Sequence, residues 1–161
     1  ICENISYDTE AFFSGNLSAV ATNSEDVLKC KSSVCEGYAS LFQSLCIAIG
    51  ITCKKISGYA KGYGHRPGDV ISYNNKTNHA WNVVDMNGSW RFIESTWGAG
   101  HVDKNKKFQK VFSNFYFLTP PESFIVDHFP YIDNDIEESK RWQLLQKPLT
   151  IDVYSKIIKP S

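Results

Sequence analysis

Three residues of this 161-residue chain have the types that acyl transfer needs: Cys35, His79 and Glu94. A thiolate attacks a carbonyl carbon, an imidazole takes the thiol proton, and a carboxylate fixes the imidazole tautomer. Cys35 opens a run in which Tyr38, Leu41, Phe42, Leu45 and Ile49 recur every three or four residues. That period predicts a helix over 35–49 with one buried stripe. The thiol then sits at a helix N-terminus, where unpaired N–H groups and about half a positive charge favour the thiolate and can hold an oxyanion.

The other two residues flank a turn. Asn87-Gly88 lies between two β-rich runs, 79–86 and 89–96. A type I′ turn needs positive φ at both central residues, so this pair is a strong hairpin signal. In that register Trp81 faces Glu94 and His79 faces Thr96. His79, Trp81, Val83, Phe92 and Glu94 share one face, and His79 and Glu94 are diagonal neighbours roughly 7–8 Å apart at Cα. The apolar members predict that this face is buried, and the stripe of the Cys35 helix is the expected cover. That packing brings Cys35 to His79.

Each residue also has a plainer reading. Cys35 is then a small buried residue, His79 a hydrogen-bonded histidine at a strand start, and Glu94 a carboxylate at a hairpin rim. Cys46 and Cys53 fit the buried-thiol role better than Cys35 does. The three types in one geometry favour catalysis. Asp103 is a distant rival to Glu94, and Asp85 lies too near the turn. His65 is expected in an exposed Gly/Pro loop, His101 at the cleft, and His128 in a structural role among aromatic residues.

The elements that position these groups follow from local signals. Ser32 or Ser33 is the expected cap of the Cys35 helix, and Gly50 supplies its left-handed end. Ser24, followed by Glu25 and Asp26, predicts the cap of a shorter helix to about residue 29. Residues 51–60 read as a strand, and a further strand is expected near 70–73. Tyr7, Phe12 and Phe13 are expected to cap one side of the core. Residues 108–132 read as an irregular or short-stranded wrap, with Trp142, Leu144 and Leu145 closing over the core.

Hydrophobic residues make up 42%, aromatics 14%, and the formal net charge is zero. The balance is that of a single globular domain over 1–161, and it argues against nucleic-acid binding. No apolar run reaches the roughly 20 residues of a membrane helix. The cluster Lys104, Lys106, Lys107 and Lys110 reads as a solvated loop. Five cysteines without a C-x-x-C pair indicate neither a zinc cage nor a disulfide framework, so no metal or other cofactor is expected. A reducing, cytoplasmic compartment is the simpler expectation. Sequons at Asn4, Asn16, Asn75 and Asn87 keep a secreted origin as the alternative. Ile1 opens in what reads as mid-domain sequence, as in a fragment of a longer protein.

Three phrases then resemble a known family. Val34-Cys35-Glu36-Gly37-Tyr38-Ala39, His79-Ala80-Trp81-Asn82 and Glu94-Ser95-Thr96-Trp97-Gly98-Ala99-Gly100 are similar to the ordered motifs of the transglutaminase-like superfamily. Ile56-Ser57-Gly58-Tyr59-Ala60, His128-Phe129-Pro130 and Trp142-Gln143-Leu144-Leu145 resemble its kyphoscoliosis peptidase and hillarin branch, and the likeness runs from about residue 3 to about residue 150. The resemblance implies a papain-like α+β fold in which a central helix bearing the cysteine packs on an antiparallel sheet bearing the histidine and the acid. It implies a triad at Cys35, His79 and position 94, where the family pattern has Asp and this chain has the longer Glu94, a difference of about 1.5 Å. It also implies an oxyanion donor upstream of the cysteine, yet no Trp precedes Cys35. The implied substrate is a protein, attacked at a glutamine side chain or a peptide bond, with hydrolysis favoured and no calcium required. The alternative is a weakly active or inactive adaptor that binds cytoskeletal proteins.

Overall fold

The structure, a computed structural model, describes residues 1–132 and 134–158. Its N-terminal part builds a support for one helix. Strand β1 (Ser6–Tyr7) and helix α1 (Thr9–Ser14) lead to helix α2 (Ser24–Cys30), strand β2 (Ser32–Ser33) and helix α3 (Cys35–Ala48). Asp8 starts α1 by accepting from Ala11 N, and Gly15 at φ 72° ends it. The cap of α2 is Asn23, whose side chain accepts from Asp26 N, while the expected cap Ser24 is the first helical residue. Strand β1 lies parallel to β2, with Tyr7 opposite Ser33.

Helix α3 begins at Cys35, as the periodicity predicts, but no side chain caps it. Ser33 is diverted, because its hydroxyl donates to Ala21 O at 2.5 Å. Tyr38 and Leu41 are buried, whereas Leu45 and Ile49 are 44% and 73% exposed. In its second half the helix contacts the sheet through Phe42 and Cys46, against Val84 and Ile93. The buried stripe therefore turns away from Leu45. Gly50, at φ 78°, supplies the left-handed end.

Strands β3 (Cys53–Ala60), β4 (His79–Asp85) and β5 (Trp90–Ile93) follow, then helix α4 (Ser95–Ala99) and the ribbon β6 (Gly100–Val102) and β7 (Phe108–Lys110). Strand β8 (Phe117–Thr119), helix α5 (Pro121–Phe124), strand β9 (His128–Pro130) and helices α6 (Ile136–Arg141) and α7 (Ile151–Lys156) complete the order. The main sheet has five strands in the order β8-β5-β4-β3-β9, all neighbours antiparallel. The hairpin forms as expected: Asn87 and Gly88 have φ 56° and 87°, and Asp85 stands opposite Trp90. No strand forms at 70–73, where Ile71 N donates to the Ser155 hydroxyl instead.

Two expectations about the hairpin are corrected. Its second strand stops at Ile93, and the chain turns into α4, so Thr96 does not continue a ladder opposite His79. The face of Trp81, Val83 and Phe92 is covered by Phe124 and Trp142, not by α3. Strand β4 is buried on both sides, and α3 lies on the other one, where Asn82 Nδ2 donates to Ala39 O at 3.0 Å. Alternation says which residues share a face; it does not say which layer covers that face. The result is a papain-like α+β core, with the cysteine helix packed on an antiparallel sheet.

Candidate active site

Glu94 is the residue around which the site is built. It is the N-cap of α4, and its Oε1 accepts from Thr96 N at 2.7 Å and Trp97 N at 3.2 Å. Its Oε2 lies 2.5 Å from His79 Nε2 and 3.2 Å from His128 Nε2. The longer acid thus caps its own helix with one oxygen and reaches two rings with the other. Its side chain is fully buried, as is that of His128, and that of His79 is 7% exposed.

His79 opens β4 and uses Nε2 for Glu94, which leaves Nδ1 for a second partner. The Cys35 side chain acts on this ring through its charge and as a hydrogen-bonding group. His79 and Glu94 therefore meet, with Cys35 acting on the same ring, through a different packing of the hairpin from the one the sequence suggests. The Cys35 residue is partly exposed, while the His79 and Glu94 side chains beside it are buried.

Burial alone would lower the His79 pKa, but the charges of Glu94 and Cys35, with hydrogen bonds from the ring to both, carry it well above the ordinary value. Burial would raise the Glu94 pKa, and the His79 charge with hydrogen bonds from His128 and His79 holds it far below the usual carboxylate range instead. Both shifts run in the direction that favours the charged forms of the pair. His79, Glu94 and His128 each offer a ligand atom, all within 4.8 Å of one another. The 2.5 Å between His79 and Glu94 is hydrogen-bond spacing; two ligands on one ion at bonds of about 2.0 Å stand roughly 3 Å or more apart.

A cleft of about 1210 Å³ reaches His79 and is walled by Tyr7, Tyr63, Trp97, Phe108 and Tyr116. His101 lines it, as expected, and so does His65, which is only partly exposed and lies 3.9 Å from Asp69. Ile157 and Ile158 form another wall. Buried Lys61 fastens that wall by donating to Tyr154 O and Ile157 O, each at 2.6 Å. Asp103 is not part of the site; it closes its own turn by accepting from Asn105 N and Lys107 N. Asp85 accepts from Gly88 N in the hairpin turn.

His128 is the member that sequence reasoning missed. It enters from β9, 34 residues beyond Glu94, and no periodicity links the two. The available signal was its neighbour Asp127, an acid directly before a histidine within an apolar stretch.

The fold and the site define a papain-like core in which an imidazole is bonded to a buried carboxylate and feels the side chain of the helix-starting cysteine. The chain belongs to the transglutaminase-like superfamily, whose model matches residues 1–95. It is 40% identical to the kyphoscoliosis peptidase of Mus musculus over 152 residues, covering 94% of this chain and 21% of that protein. It is 32% identical to hillarin of Drosophila melanogaster over 133 residues, covering 76% and 15%. It is 31% identical to cytokinesis protein 3 of Saccharomyces cerevisiae over 120 residues, covering 71% and 13%. The chain thus spans about a fifth or less of the length of these relatives. No helix among the described residues is long and apolar enough to cross a membrane.

Proposed function

We propose that this domain is a cysteine-dependent amide-bond enzyme that works through a thioester. The observation that supports the reading is a buried His79–Glu94 hydrogen bond whose ring also feels the side chain of Cys35, a partly exposed residue at a helix start. The Cys35 thiolate adds to the carbonyl carbon of an amide, and the oxygen becomes an anion beside the N–H groups of the uncapped α3 terminus. Collapse of that adduct breaks the C–N bond. His79 gives its proton to the departing nitrogen, and the acyl group stays on sulfur. A water molecule, losing a proton to His79, then attacks the thioester. The products are a carboxylic acid and the restored thiol; an amine in place of water leaves a cross-link. Glu94 holds the ring and the positive charge it carries.

The substrate class is protein, at a glutamine side chain or a peptide bond. The word peptidase in a relative's name supports hydrolysis. The five free cysteines and a relative named for cytokinesis support a cytoplasmic setting. A second reading, an adaptor for cytoskeletal proteins, is favoured by one observation: Phe112, Phe115 and Phe117 are 65%, 53% and 58% exposed. The readings separate on β-casein as a protein substrate, with fragments, released ammonia and incorporated monoamine measured for wild type and Cys35→Ser. Any of the three products, absent in Cys35→Ser, supports the enzyme. None of them, together with a Cys35 no more reactive than a free thiol, refutes it.

A further inference from the structure

The mechanism above uses one nitrogen ligand of Glu94, whereas the structure supplies two. His128 Nε2 lies 3.2 Å from the same Oε2 that binds His79, and His128 Nδ1 lies 2.6 Å from Asp127 Oδ1. The ring is fully buried and held in an aromatic box. It stacks on Phe124 at 4.2 Å and 17° between planes, and Trp97 and Trp81 stand 4.4 Å and 5.1 Å away. Such a ring has no room to rotate, and its position is fixed before any substrate arrives.

We propose that His128 is a positioning residue of this site: held by Asp127 and the aromatic box, it donates its Nε2–H to Glu94 and fixes the carboxylate in the orientation that serves His79. The proposal rests on the catalytic reading of Cys35, His79 and Glu94.

Proton counting supports the donor assignment. Both ring nitrogens of His128 face carboxylate oxygens, and a neutral imidazole has a single N–H. With Nε2–H directed at Glu94, the Nδ1 to Oδ1 contact needs a proton of its own. An ionised Glu94 only accepts, so the hydrogen in its contact with His128 comes from the ring. The function is specific to a glutamate. An acid with one more rotatable bond than aspartate has an extra freedom to lose, and four hydrogen bonds remove it: two from α4 backbone N–H groups, one from each ring. The other titratable groups whose charges act on or from Glu94 are Cys2, Tyr7 and Tyr116, and none of these supplies a hydrogen bond to Oε2.

The test compares the pH dependence of Cys35 carboxymethylation by iodoacetate in wild type, His128→Phe and His128→Gln. Phe preserves the stacking and removes the donor; Gln presents an amide N–H near the place of Nε2. In His128→Phe the rate at neutral pH falls about tenfold, the scale of one hydrogen bond to a charged group, and the acid limb moves up by about one pH unit. His128→Gln restores most of both. A folded His128→Phe with the wild-type rate and profile overturns the proposal, while a wild-type thiol that is itself unreactive overturns the catalytic reading instead. Nitrogen NMR of the histidine rings in the unmodified protein gives an answer even where the variants do not fold. A protonated Nε2 on His128 is expected, and a bare Nε2 overturns the assignment.

Discussion

Asn82 Nδ2 of β4 donates to the carbonyl oxygen of Ala39, one turn into the helix that Cys35 begins. The same amide reaches Lys54 O at 3.4 Å, so it ties the cysteine helix to two strands of the sheet. Its Oδ1 is buried without a partner among the described residues, which makes the tie costly to keep. Asn82→Leu should destabilise the fold by about 1 kcal/mol in urea denaturation. Asn82→Asp should destabilise it by roughly 3 kcal/mol, because it places an unpaired charge against two carbonyl oxygens.

Gly37 sets how closely the start of α3 approaches its support. A Cβ there would stand 2.0 Å from Ser33 Oγ and 2.9 Å from Val27 Cγ2. Alanine is the better helix former by about 1 kcal/mol. Overpacking of roughly 1–3 kcal/mol should still win. Gly37→Ala is therefore expected to lower the melting temperature and, by shifting the first turn, to slow labelling of Cys35 relative to wild type.

The His79–Glu94 pair gives the fold a pH signature. The folded His79 pKa is raised, so its stabilisation is complete below about 6.5 and is lost as pH rises through the raised folded value. The folded Glu94 pKa is depressed, so its stabilisation is complete above about 4.3 and is lost only as pH falls through the depressed value. Thermal unfolding followed across pH should show wild-type stability declining on the alkaline side. In Glu94→Gln, burial is left as the main influence on His79, the ring pKa drops, and this alkaline decline should vanish.

Glu94→Asp tests the value of the longer acid directly. A carboxylate drawn back by about 1.5 Å cannot cap Thr96 and Trp97 and still reach both rings. Turnover should fall about tenfold with KM nearly unchanged, as expected when a group orienting the base is lost without touching substrate. Unchanged turnover would mean that the extra methylene has no role.

The elements that the sequence made legible were those with a local signal. Asn87-Gly88 forced its hairpin through φ alone, and α3 followed from its three-and-four spacing. The covering of the hairpin was not legible, because β4 is buried on both faces and Phe124 and Trp142 arrive from far along the chain. Helices α1 and α4 are too short for a period, and Glu94 ended β5 by capping the turn that follows it. The meeting of His79 with Glu94 could be read from residue types and order. His128 could not, because its role comes from a contact between two separate strands of chain that only the fold creates.

The central claim is that Cys35 is held as a reactive thiol by His79. The most direct measurement is the rate of Cys35 alkylation by iodoacetamide as a function of pH, in wild type and in His79→Ala. The account predicts fast labelling of wild type well below the free-thiol pKa of about 8.5, and slow labelling in His79→Ala that rises only near that value. A wild-type profile that matches His79→Ala and follows an ordinary thiol would contradict it.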